Sequence, residues 1–372
     1  MSPIIPFKIT KVLLFIISFI VFESCMSKNN ISIHNGKESI IFTSEKASYN
    51  WNFNRKYEDT LYENKRIVFK KSELLSIQGL GDSVLACQNY KNGEIHFLSL
   101  DNFSNLGSFN KKADSLREII SLDYTGNAFN LYNFTTRSLY QYNKSLDWNN
   151  DFVLKRVIKI PNGDAVYRAS FLNDDCAVWA NPEDKNGDLS FLLKSLDTAD
   201  TVKNREYRLS NLLRLTNKDN KLGLSYDGQF ISSNSSSFLV YMCSFTGYFI
   251  VFDKKSCSLK FDKRTIDETP APITKYVQLT KNTKQLVIEP NIMFFPSASL
   301  YKNKLYILNF ISTDHSGAID IYDLDKNGEY VSSIYITDLV NNTRPKSISV
   351  VNNYLFVLYE NQTIIRYAIK KS

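Results

Sequence analysis

Apolar residues recur along this chain in short runs that alternate with polar ones, and nearly every run ends in Asn, Asp or Gly. The clearest stretch runs from Ser297 to Thr337, with strand-like segments beginning at Lys304, Gly317 and Glu329 and turn-forming residues between them. β-Branched and aromatic side chains suit a pleated, half-buried surface, and Asn, Asp and Gly take the backbone angles of tight hairpins. The pattern therefore predicts antiparallel hairpins rather than helices.

The same unit of four short strands, a to d from first to last, repeats. Copies run from Ser72 to Asn110, Leu116 to Ile160, Val166 to Leu209, Leu222 to Asp262 and Ser297 to Thr337. A last copy, Lys346 to Ile369, has only three strands, and the run Ile67 to Lys71 before the first copy is expected to supply the fourth. Closure of this kind removes the exposed edges of an open array. Six units predict an all-β fold, a six-bladed β-propeller of four-stranded antiparallel blades, with a pair of β-sandwiches as the competing arrangement. Ile266 to Pro290, which carries Pro270 and Pro272, breaks the pattern and reads as an insertion between the fourth and fifth units.

Lys8 and Lys11 precede an apolar run, Val12 to Phe22, followed by Glu23, Ser24 and Cys25. About eleven apolar residues are roughly half of the ~20 that cross a bilayer, so the segment reads as a signal peptide. Ser24 before Cys25 resembles the lipobox of Gram-negative lipoproteins, which implies acylation of Cys25; simple secretion is the alternative. The expected organisation is a signal peptide over 1–24, a tether and N-terminal extension over 25–65, and the propeller over 66–372. Four further cysteines lack C-x-x-C spacing. Cys87, Cys176 and Cys243 lie in apolar strand runs, where a cysteine acts as a small buried hydrophobe, and no disulfide is expected.

The formal net charge is +7, and removing Lys8, Lys11 and Glu23 with the signal peptide leaves +6. Charges of both signs are interspersed, which argues against nucleic acid as a partner. Asp323 to Gly328 mimics the start of a calcium loop, but its twelfth position is Ile334 instead of an acid, so the segment reads as a turn. Asp184 to Asp188 reads the same way. His34, His96 and His315 show no metal spacing, no G-x-S-x-G elbow occurs, and no cofactor is expected.

In a propeller the starts of the a strands and the b–c turns ring one mouth of the central channel. Here those positions include Arg117, Tyr167, Arg168, Phe295, Arg344 and Lys346, with Tyr90, Arg137, Asp314 and His315 on the b–c turns. Guanidinium forks bind carboxylates and aromatic rings stack on sugars, so Arg117, Tyr167, Arg168, Arg344, Lys346 and His315 are the candidate ligand-binding residues of a cationic, aromatic funnel.

Six four-stranded units behind a lipobox-like cysteine resemble the TolB-like six-bladed propeller lipoproteins, across about residues 66 to 372. The Ser-Pro-Asp-Gly corners of that family are approached once, at Ser225 to Gly228, with Tyr in place of Pro. The resemblance implies a binding propeller of the cell envelope, lipid-anchored on its periplasmic side at the outer membrane or exposed at the surface. The expected function is non-catalytic binding or scaffolding of an envelope protein or glycan, with a hydrolase or lyase acting on carbohydrate as the alternative. Asp59, Asp82, Asp114, Asp197 and Asp200, each followed by Ser or Thr and then an aliphatic residue or Ala, resemble an O-glycosylation signal of exported proteins.

Overall fold

The structure is a computed structural model of the 372-residue chain. It describes residues 30–369 apart from segments 35–36, 45–46, 54, 59–60, 70–72, 90–93, 110–118, 126–127, 144–147, 149–151, 161–165, 182–187, 197–204, 214–221, 281–282, 290–292, 311–316 and 337–342, with only the backbone described before residue 54. Two compact units divide at Asn52 and Phe53. In the first, β1 (Asn30–His34), β2 (Lys37–Ser44) and β3 (Ala47–Phe53) form a three-stranded sheet.

In the second unit, short apolar strands pair in sequence order into blades. The first blade comprises β6 (Leu74–Leu80), β7 (Val84–Asn89), β8 (Ile95–Ser99) and β9 (Asn105–Phe109), following β4 (Tyr57–Glu58) and β5 (Tyr62–Val68). The second is β10 (Ile119–Thr125), β11 (Ala128–Asn133), β12 (Ser138–Asn143) and β13 (Val153–Lys159); the third is β14 (Arg168–Asn173), β15 (Cys176–Asn181), β16 (Ser190–Ser195) and β17 (Arg205–Arg208). The fourth is β18 (Gly228–Ser232), β19 (Phe238–Cys243), β20 (Tyr248–Asp253) and β21 (Ser258–Arg264). A hairpin, β22 (Ile273–Thr280) and β23 (Thr283–Glu289), occupies the stretch that broke the repeat. The fifth blade is β24 (Ser297–Tyr301), β25 (Lys304–Asn309), β26 (Gly317–Asp323) and β27 (Glu329–Ile336), and β4 adds a parallel strand to its outer edge. The sixth is β28 (Pro345–Val351), β29 (Tyr354–Tyr359) and β30 (Thr363–Ala368), on which β5 pairs antiparallel as the outer strand. The protein is thus a six-bladed, all-β propeller.

Burial follows strand position. The second strand of each blade is mostly apolar; β7, β11 and β19 are buried at every residue, including the amides Gln88, Asn89, Asn130 and Asn133. Outer strands face solvent, and no residue of β13 is buried. A repeated backbone bond marks the unit: the residue just after a c strand donates to a carbonyl in the a–b turn, from Leu100 to Ser83, Leu196 to Asp175, Lys254 to Ser237 and Leu324 to Asn303, at 2.8–2.9 Å.

One local reading of the sequence is corrected. The run from Leu222 to Ser232 is not one strand: Leu222–Ser225 form a single helical turn, and β18 starts only at Gly228. The turn is closed by the Asp227 N–H donating to the Leu224 carbonyl at 3.1 Å and by the Ser225 hydroxyl donating to the Pro272 carbonyl at 2.8 Å, and at Gly228, where a Cβ would strike the Met242 carbonyl, the chain enters close pairing with β19. The turn expected at Asp323 to Gly328 is present between β26 and β27. A 3₁₀ turn at Leu324–Lys326 is capped by the Asp323 carboxylate accepting from the Asp325 N–H at 3.1 Å, and Asn327 and Gly328 then take left-handed angles, φ 53° and 72°.

Candidate functional site

The central channel holds a small, largely polar cavity whose lining carries one charged residue, Asp82. This cavity, about 100 Å³, is lined by a strands of several blades, with Ser76, Gln78, Gln229, Ser232, Ser299 and Ser349 presenting hydroxyls and amides. That is room for a few waters, well below the ~300 Å³ at which small-molecule pockets begin. Gln78 reaches across from the first blade, its Nε2 donating to the Ser232 carbonyl of the fourth at 3.5 Å.

The serines of this lining close the ring. Side by side, inner strands leave N–H groups with no ladder partner, and a hydroxyl on the preceding blade accepts each of them. Ser297 and Ser299 accept from the Ile348 and Val350 N–H at 3.1 and 2.8 Å. Ser347 and Ser349 do the same for Ile77 and Gly79 at 3.2 and 2.8 Å. The two Ser-x-Ser pairs at the starts of β24 and β28 were a legible signal for this role that a search for ligand residues passes over.

Two of the candidate cations also fasten blades. Arg168 opens β14; its Nε donates to the Gly228 carbonyl at the start of the fourth blade at 2.9 Å, Nη1 donates to the Tyr167 carbonyl at 3.1 Å, and Nη2 lies 3.4 Å from Asp227. Lys346 near the start of β28 does the equivalent job towards the first blade, its Nζ donating to the Leu74 carbonyl at 2.9 Å. Arg344, just before β28, is half-buried and its carbonyl accepts from the Glu360 N–H. Phe295 is fully buried and so belongs to the blade interior, not the mouth. Arg117, His315, Tyr90, Asp314 and Cys25 lie outside the described residues.

What the mouth does gather is an aromatic platform between the second and third blades. Phe134, in the b–c turn of the second blade, and Tyr167, just before β14, are half-buried, with ring centroids 5.5 Å apart and planes tilted by 32°. Arg137 stands in the same turn as Phe134, held at φ 50°, and its carbonyl accepts from the Ile160 N–H at 2.9 Å. Both Arg137 and Arg168 act on the buried phenol of Tyr132, which donates to the Val166 carbonyl at 2.9 Å. Burial pushes that phenol up to about 12, and the two guanidiniums oppose the shift. The site thus brings Tyr167 and Arg168 together with Arg137 and Phe134, a residue that the sequence reading had left out.

A pair of carboxylates converges elsewhere. Arg55, just before β4, holds Asp320 of β26 through Nε at 2.7 Å and Nη2 at 3.0 Å, and its Nη2 lies 3.5 Å from Asp267. Asn309 Nδ2 bridges the same two acids at 2.6 and 3.1 Å, and Ser333 donates to Asp320 at 2.6 Å. All three charged side chains are 0–1% exposed. Burial holds the Asp267 carboxyl above the usual carboxylate range despite Arg55. Sealed from solvent and already saturated with donors, the pair has no face to offer a substrate; it ties the segment before β4 to the fourth and fifth blades. Among the described residues, no group of three or more His, Cys, Asp or Glu side chains is arranged to hold a metal ion.

No family model matches the chain, and no curated protein matches it. Among solved structures it is similar to the β-propeller domain of Cps50 (Swd1) from Myceliophteria thermophila, with a TM-score of 0.45 at 11% identity, covering 83% of this chain and 100% of that one. It is also similar to BamB from Moraxella catarrhalis, with a TM-score of 0.42 at 10% identity and the same coverage.

Proposed function

We propose that the protein is a lipid-anchored propeller of the cell envelope that works as a non-catalytic scaffold, holding a protein or glycan partner at the mouth formed by the second and third blades. The observation that carries this reading is the half-buried Phe134–Tyr167 ring pair set beside Arg137 and Arg168. Rings at such a rim supply contact area at low conformational cost, and guanidiniums add directional donors for carboxylates or sugar hydroxyls. Arg344 and Lys346 extend the cationic character of the same mouth, and Arg117 and His315 are assigned to it on sequence grounds. A channel of about 100 Å³ supports rim binding over entry of a ligand into the ring.

Anchoring through Cys25, with the propeller on the periplasmic side of the outer membrane or at the surface, follows from the lipobox-like sequence. The reading is tested by placing a photoreactive side chain at position 134 or 167 in producing cells. Crosslinks to one envelope partner at these positions, and none from position 303 in the a–b turn of the fifth blade, are expected; equal crosslinking from all three sites would contradict it.

A further inference from the structure

Two thiols of different blades lie side by side on the face of the ring opposite the Phe134–Tyr167 platform. Cys176 is the first residue of β15, 4% exposed. Cys257, half-buried, closes the c–d turn of the fourth blade with a left-handed φ of 47°. Antiparallel register sets Asn173 opposite Cys176. The Asn173 Nδ2 in turn donates to the Cys257 sulfur at 3.2 Å and to the Lys254 carbonyl at 2.6 Å. Cys257 packs on the apolar cluster that contains Cys176, its own thiol donates to the Lys254 carbonyl at 3.8 Å, and after burial the neighbouring Cys257 is the next cause that raises the Cys176 pKa. Both cysteines are free thiols here.

We propose that Cys176 and Cys257 form a redox-active pair that closes to a disulfide between the third and fourth blades, taking its oxidising equivalents from an external disulfide, either a small molecule of the glutathione class or a protein. Cys257 is the more accessible sulfur, and the Asn173 amide aimed at it stabilises a developing thiolate. It attacks one sulfur of the external disulfide, forming a mixed disulfide and expelling one thiolate. Cys176 then attacks the Cys257 sulfur, loses its proton to the medium and expels the second external thiol. Two protein thiols are oxidised to one disulfide, and one external disulfide is reduced to two thiols. Cys176 suits the resolving role: burial and the neighbouring thiol hold it protonated, so it reacts only once its partner sulfur is activated beside it. Cys87 and Cys243 are fully buried and serve as internal controls. The pair is independent of the rim, so its test does not depend on the binding partner.

The purified full-length chain is equilibrated in glutathione buffers from fully reduced to fully oxidised, quenched with an alkylating reagent and mapped by mass spectrometry. A link joining Cys176 to Cys257 is expected, with Cys87 and Cys243 alkylated only after unfolding. Cys176→Ser is expected to stop at a glutathione adduct on Cys257, and Cys257→Ser to take up none. The linked wild type is expected to melt several degrees above the reduced chain, because the bridge closes a long loop and staples two blades. Persistent thiols in oxidising buffer, a wild type that stops at the Cys257 adduct, or a link from Cys257 to Cys243 would each overturn the proposal; the wild-type map decides even where a variant folds poorly.

Discussion

At the scale of single residues, charge in this protein is spent mainly on holding parts together. Arg55 is buried against two acids, so Arg55→Met leaves both carboxylates uncompensated and is expected to cost about 3–5 kcal/mol in urea unfolding. Asp267 gives a pH signature of known sign. Its folded-state pKa is raised, so the folded chain holds that proton more tightly than the unfolded one. The contribution is fully present below the usual carboxylate range and is lost as pH rises through the raised value. Relative to Asp267→Asn, the wild type is therefore expected to lose stability between acid and neutral pH; a constant difference between the two chains would contradict this. Sequence alone placed Arg168 and Lys346 correctly at the starts of inner strands, but it could not say which way they reach. Their partners are mostly main-chain carbonyls, which carry no side-chain signature, and the one acid, Asp227, lies 59 residues from Arg168. Arg55 was not legible at all, because its acids lie 212 and 265 residues away.

At the scale of strands, the ring is closed by hydroxyls and by close backbone approach. Ser299→Ala removes the acceptor of the Val350 N–H in a buried setting and is expected to cost about 1–3 kcal/mol, read as a lowered denaturation midpoint. Gly228→Ala drives a methyl into the Met242 carbonyl and is expected to cost a similar ~1–3 kcal/mol, separating β18 from β19 where they are tightest. Most blade strands were legible because alternation and Asn, Asp or Gly turns are local properties. The helical turn at Leu222–Ser225 was not, since its apolar residues read equally well as the start of a strand. The prolines that broke the repeat, Pro270 and Pro272, mark the approach to the β22–β23 hairpin, and the strand pairing of that insertion could not be read from them.

At the scale of the molecule, the outer strand β5 on β30 covers an edge of the sixth blade. A chain that starts at Phe53 keeps both β4 and β5 and is expected to unfold cooperatively. One that starts at Leu74 lacks them, exposes β30 and the Asp267–Asp320 pair, and is expected to aggregate on size-exclusion chromatography; equal melting of the two would contradict the role given to this segment. The propeller was legible because its repeat is long and regular, whereas the mouth was only half legible: the ring of starts and turns was predictable, but the Phe134–Tyr167 platform depends on how two blades face each other. The binding role of the rim is read from partners crosslinked to or co-purified with the protein from detergent-solubilised envelope, comparing wild type with Phe134→Ala/Tyr167→Ala. The variant is expected to remain folded and to lose the wild-type partner; an identical partner recovered in equal amount would contradict the proposed rim.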